Sequence, residues 1–146
     1  MSLSNQTPSQ SEQIRIMLVD DHRLILESWK LLLEKDPRFI IVAECENGAE
    51  AIREVTEIMP EIILMDINMS PVNGFDATEK ILTLHPQIRI IGISINNQPD
   101  YASHIMKLGA KGFVCKDSSF EELTTAIIKV HQGGEYICRE IKKYMN

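Results

Sequence analysis

The chain has 146 residues, 44% of them hydrophobic and 25% charged, which suits one globular domain with a sizeable core. A net charge of −6 argues against a nucleic-acid-binding surface, and the longest apolar runs are too short to span a bilayer, so neither nucleic acid nor membrane is an expected partner. Cys45, Cys115 and Cys138 are odd in number and lack CxxC spacing, which implies reduced thiols in a cytoplasmic protein rather than a disulfide framework or zinc site.

Residues 1–13 are polar and Ser/Gln-rich, with neither the basic nor the apolar part of a signal peptide, and are expected to form a disordered leader. Ile14 to Val19 reads as a strand ending in Asp20-Asp21. An apolar stripe of Leu24, Ile25, Trp29, Leu32 and Leu33 then predicts a helix, stopped by Asp36-Pro37. Phe39 to Ala43 is a second strand, Asn47-Gly48 a turn, and Ala49 to Met59 a second helix closed by Pro60. Ile62-Ile63-Leu64-Met65 reads as a strand buried on both faces, and it runs straight into Asp66.

After the loop Asn68 to Gly74, a third helix runs to His85-Pro86, and a fourth strand, Ile88 to Ile93, terminates at Ser94. Pro99 opens a fourth helix and Gly109 stops it. Gly112 to Cys115 is a short fifth strand ending at Lys116. Ser118 or Ser119 caps a fifth helix, which Gly133-Gly134 ends. This alternation predicts an α/β domain over residues 14–132: a doubly wound, flavodoxin-like, five-stranded parallel sheet of order 2-1-3-4-5 with five helices. Residues 133–146 read as a tail or the start of a linker, with one last helical segment possible between Ile137 and Tyr144.

In that strand order Asp20-Asp21, Asp66, Ser94 and Lys116 line one mouth, at the switch point between the first and third strands. Each alone has an ordinary reading: helix cap, turn former, turn hydroxyl or solvated lysine. Together they differ. Two carboxylates about 4 Å apart repel by roughly 4 kcal/mol at an effective dielectric near 20, so the cluster calls for a cation. Oxygen ligands favour Mg²⁺, and Lys116 with Ser94 suits a phosphoryl group carried on an Asp66 oxygen. His22, exposed at a helix start with no second histidine nearby in sequence, is not expected to be a ligand.

These residues resemble the receiver domain of two-component response regulators. The match rests on Asp20-Asp21, the run Asp66 to Met69 with Gly74 downstream, Ser94, and Gly112 to Lys116, all in order and each polar group at a strand end. The resemblance implies that Asp66 accepts a phosphoryl group from a sensor histidine kinase or phosphotransfer domain. Asp20, Asp21, Asp66 and the Asn68 backbone carbonyl would serve Mg²⁺, and Lys116 and Ser94 would bind phosphoryl oxygens. Ser94 and Phe113 would form the switch, acting on the face of the fourth helix, fifth strand and fifth helix, with homodimerisation on phosphorylation. It implies no enzyme beyond self-phosphorylation and dephosphorylation.

Lys116-Asp117 and Gly133 to Tyr136 resemble receivers that precede LuxR-type helix-turn-helix domains, which implies a transcriptional output; a stand-alone receiver is the alternative. Three features depart from the common pattern. Ser70 stands where proline is usual, with Pro71 one position late; Asp117 replaces a proline, so a trans peptide is expected there; and Ile95 replaces a small residue beside Ser94. A phosphatase of the haloacid-dehalogenase type also uses a strand-end aspartate, but its second acid is here Asn68, which cannot transfer a proton.

Overall fold

The computed structural model describes residues 12–95 and 98–145. Six strands are found among them: β1 (Ile14–Val19), β2 (Phe39–Cys45), β3 (Ile62–Asp66), β4 (Arg89–Ser94), β5 (Gly112–Cys115) and β6 (Tyr136–Ile137). Between and after them lie α1 (Arg23–Glu34), α2 (Gly48–Ile58), α3 (Gly74–Leu84), α4 (Pro99–Lys107), α5 (Phe120–His131) and α6 (Arg139–Lys142). The sheet order is β2-β1-β3-β4-β5-β6, and every pairing is parallel. The chain steps one way from β1 to β2 and the other way from β2 onward. Right-handed crossovers therefore set α1 on the face opposite α2, α3 and α4, which pack as neighbours.

Every residue of β3 is buried, as its unbroken apolar run requires of a strand between two helix layers. Chain reversals are fixed by side-chain caps. Asn47, Asn73 and Ser119 accept the amide hydrogens of Glu50, Asp76 and Glu122 at the starts of α2, α3 and α5. At the opposite end of the sheet Arg15 donates to the carbonyls of Ile58 and Met59, closing α2 just before β3. Among the described residues the one cis peptide is Ser70–Pro71, in the loop after β3, and Lys116–Asp117 is trans as expected.

The expected five-stranded sheet gains a sixth strand, and the last helical segment expected between Ile137 and Tyr144 is α6. Tyr136 N–H donates to the Lys111 carbonyl and Cys138 N–H to the Phe113 carbonyl, and a strand of two residues leaves no alternation to detect. The α1 stripe also needs correction. Leu26 and Leu33 are its buried residues, whereas Leu24 and Leu32 are 77% and 39% exposed. Apolar residues surround this helix, and in the run Leu31-Leu32-Leu33 periodicity alone cannot pick the inward one. Of the expected leader, residues 1–11 lie outside the described residues, and Gln13 donates to the Pro37 carbonyl.

The start of α3 lies hard against the end of β3. A Cβ on Gly74 would collide with the Asp66 carbonyl oxygen and the Ile67 Cα, both backbone atoms that cannot rotate away. Gly74→Ala is expected to cost about 1–3 kcal/mol in urea unfolding, the usual range for overpacking. A loss below about 0.5 kcal/mol would mean that α3 shifts freely on the sheet.

Candidate functional site

Four strand ends supply the polar groups at the switch point. Pairing with β2 continues one residue past β1, where Asp20 N–H donates to the Cys45 carbonyl at 3.0 Å. The Asp20 side chain is thereby directed into the mouth and fully buried, while Asp21 points outward and is 37% exposed. Neither aspartate is the N-cap of α1. That position is His22, whose own amide donates to Asp20 Oδ1 at 2.8 Å. The His22 ring also folds back, with Nδ1 2.9 Å from Asp20 Oδ1 and 3.0 Å from Asp21 Oδ1.

Asp66 ends β3 and is fully buried. Its Oδ1 accepts the Asn68 amide hydrogen at 2.9 Å, which fixes the carboxylate plane and turns Oδ2 toward Asp20 and Lys116. Ser94, at the end of β4 and also buried, donates its hydroxyl to Asn68 Oδ1 at 2.9 Å. The Lys116 amide donates to the Ser94 carbonyl at 2.8 Å, and the turn Cys115 to Ser118 is closed by two hydrogen bonds between its end residues. The Lys116 side chain then runs inward, 9% exposed, to place Nζ 3.1 Å from Asp20 Oδ2 and 3.3 Å from Asp66 Oδ2. Asp20, Asp21, Asp66, Asn68, Ser94 and Lys116 therefore form one cluster. Phe113 lies behind it in β5, fully buried.

Asp20 Oδ2 and Asp66 Oδ2 are buried without a hydrogen bond, the Lys116 ammonium being their close charge partner. Two carboxylates against one ammonium leave a net negative charge away from water, a costly arrangement. Burial, reinforced by the Asp20 charge, pushes Asp66 up from the ordinary 3.8 to about 6, against the opposing pull of the Asn68 amide and Lys116. One ligand atom from each of Asp20, Asp21, His22 and Asp66 lies within 4.8 Å of the others. The unpaired oxygens, with Asp21 beside them, suit a hard divalent cation such as Mg²⁺.

Two residues play roles that differ from the sequence reading. His22 was expected to be exposed and outside the cluster; its side chain is 60% exposed, yet its ring bridges both aspartates. Asn68 was singled out for its backbone carbonyl, whereas its side chain is what holds Ser94. Ile95 projects outward, 70% exposed, and does not crowd the mouth.

A doubly wound parallel sheet with an acidic cluster and one buried lysine at its switch point defines a CheY-like α/β domain. The chain belongs to the response regulator receiver domain family, whose sequence profile matches residues 16–128. It is 38% identical over 125 residues to the transcriptional regulatory protein DegU of Brevibacillus brevis, covering 86% of this chain and 53% of that protein. It is 31% identical over 125 residues to the oxygen regulatory protein NreC of Staphylococcus epidermidis, covering 85% and 57%. Among solved structures, a LuxR-family two-component response regulator from Aurantimonas sp. SI85-9A1 superposes with a TM-score of 0.87 at 32% identity, covering 90% of this chain and 94% of that one. The chain thus spans little more than half the length of these curated relatives and matches receivers of the kind that precede LuxR-type domains.

The buried charge has a pH signature. Because Asp66 binds its proton more tightly in the folded chain than in the unfolded one, its contribution to metal-free stability falls as pH rises from about 4 to about 6. That is opposite in sign to the contribution of Asp36 and Glu61, which are held below the usual carboxylate range. For Asp66 the difference amounts to roughly 3 kcal/mol. Asp66→Asn removes the charge and keeps an acceptor for the Asn68 amide. It is expected to stabilise the metal-free protein at pH 7–8 by about 1–3 kcal/mol, with the gain vanishing below about pH 4. Urea unfolding at both pH values measures this, and a destabilising Asp66→Asn at neutral pH would contradict it.

Proposed function

We propose that the protein is a phosphorylation-controlled signalling domain in which Asp66 Oδ2 takes a phosphoryl group from the phosphohistidine of a sensor kinase or phosphotransfer domain. The single observation that carries this reading is the Asp66 carboxylate itself. Its Oδ1 is held by the Asn68 amide, while Oδ2 lies in the mouth with the Lys116 ammonium, 3.3 Å away, as its charge partner. As the phosphorus–nitrogen bond of the donor breaks, the new phosphorus–oxygen bond forms at Oδ2 and the imidazole departs. Asp20, Asp21, Asp66 and the Asn68 carbonyl would hold Mg²⁺, which would supply positive charge against the transferring phosphoryl oxygens.

Lys116 is already in place to pair with one phosphoryl oxygen. Ser94 reaches another by letting go of Asn68 Oδ1, so its hydroxyl exchanges one acceptor for a more highly charged one. Phe113, fully buried in β5, is the residue that turns behind a switched Ser94. Ser94 and Phe113 thereby couple the site to α4, β5 and α5, a local charge event acting on a two-state face. The output is transcription through a LuxR-type DNA-binding domain, in keeping with the names of the relatives, and phosphorylation favours homodimers. The domain itself contacts no DNA, and among the described residues no helix is long and apolar enough to cross a membrane. The setting is the cytoplasm. Self-phosphorylation and slow hydrolysis are its only chemistry, since Asn68 stands where a phosphatase would need an acid, with its side chain committed to Ser94.

Incubation with Mg²⁺ and a small acyl phosphate is expected to add one phosphoryl group per chain, detected by intact mass. No adduct should form without Mg²⁺ or in Asp66→Asn. Absence of an adduct under every condition would overturn the proposal, as would multiple-turnover hydrolysis of phosphomonoesters that is lost in Asp66→Asn.

A further inference from the structure

The C-terminal segment is fastened to the sheet next to the site. β6 lies along the Gly112–Phe113 stretch of β5, and Glu122 of α5 accepts both the Tyr136 hydroxyl and the Arg139 amide hydrogen through Oε2. Two buried cysteines meet at this junction. Cys115 is the last residue of β5, directly before Lys116, and Cys138 follows β6; their Sγ atoms are 3.6 Å apart. Both are free and almost fully buried, at 3% and 0% exposure.

Cys138 occupies the N-cap of α6, where serine, threonine, aspartate or asparagine would accept an amide hydrogen, yet its side chain makes no capping bond. It points inward to Cys115 instead. The third thiol is different: Cys45 donates to the Glu54 carboxylate at 3.6 Å.

We propose that Cys115 and Cys138 are a redox pair whose disulfide locks the β6–α6 segment onto β5 beside Lys116. Closing the Sγ atoms from 3.6 Å to a bond of about 2.05 Å is within reach of side-chain rotation and small shifts of the short segment. In the closed state burial pushes the Cys115 thiol up to about 12, so direct attack on an oxidant is slow. Reaction therefore proceeds through opening of the segment, a two-residue strand and a single helical turn at the edge of the sheet, anchored by the bonds just named and by the buried Ile141.

With a small-molecule disulfide such as oxidised glutathione, the exposed Cys138 thiolate attacks one sulfur and the oxidant's sulfur–sulfur bond breaks. A mixed disulfide forms and one glutathione leaves. The Cys115 thiolate then attacks Cys138 Sγ and expels the second glutathione. The two protons given up by the cysteines are taken by the two released thiolates, so the cysteines are oxidised by two electrons and the oxidant is reduced by two. The inference rests on the thiol geometry and is independent of phosphoryl transfer.

The full chain is equilibrated with oxidised glutathione without denaturant, and followed by intact mass and non-reducing peptide mapping. The expected product has lost two hydrogens, links the Cys115 and Cys138 peptides, and reverts with dithiothreitol. Cys45→Ser should retain the link. Cys138→Ser, which places a good capping residue at that position, should abolish it and still fold. Amide exchange at Tyr136 and Cys138 should slow about tenfold or more in the oxidised form. Glutathione adducts without an internal link, a pairing that involves Cys45, or a link formed only in denaturant would each overturn the pair. Unchanged exchange in the linked form would overturn the locking.

Discussion

One ammonium group between two buried carboxylates sets the character of this protein. Lys116 Nζ lies 3.1 Å from Asp20 and 3.3 Å from Asp66, and both carboxylates are fully buried. Buried ions persist only when paired, and here the pairing is incomplete by one negative charge. The deficit follows from the fold. A parallel sheet brings the ends of β1, β3 and β5 to one mouth, and the residues at those ends are two aspartates and a lysine. A site built this way favours added positive charge and suits an incoming phosphoryl group paired with it.

Around that centre the supports are short range and largely backbone. The Asn68 amide fixes Asp66, the Ser94 carbonyl fixes the Lys116 amide, and α3 closes on β3 at a glycine. The movable part is smaller. The Ser94 hydroxyl rests on Asn68, a neutral acceptor on an exposed residue, while a phosphorylated Asp66 offers charged oxygens at the same mouth. Under the proposed phosphorylation that hydroxyl would have two alternative acceptors, a minimal two-state element, with Phe113 of β5 as its proposed partner. The β6–α6 segment is bonded to that same strand through the Phe113 carbonyl.

The strand ends were legible in the sequence because a doubly buried strand is an unbroken apolar run, and a polar residue that terminates it is conspicuous. Ile62 to Met65 followed by Asp66 is such a case, and the strand order then brought Asp20, Asp21, Ser94 and Lys116 to it. Three features had no such signal. β6 has only two residues, and two residues carry no period. The ring of His22 reaches the aspartates by a rotamer that sequence does not encode locally. In α1 the adjacent leucines at 31, 32 and 33 satisfied more than one face, and only packing against the sheet chose Leu33.

The central claim is that Asp66, Lys116 and Ser94 together receive a phosphoryl group. The most direct measurement is a crystal structure of this chain with Mg²⁺ and beryllium trifluoride, the phosphomimetic used with the isolated receiver domain of RcsB from Salmonella enterica serovar Typhimurium. The account predicts beryllium on Asp66 Oδ2, Lys116 Nζ and the Ser94 hydroxyl on its fluorines, and the Ser94–Asn68 bond broken. A fully liganded crystal with no beryllium at Asp66, or with Ser94 still donating to Asn68, would contradict it.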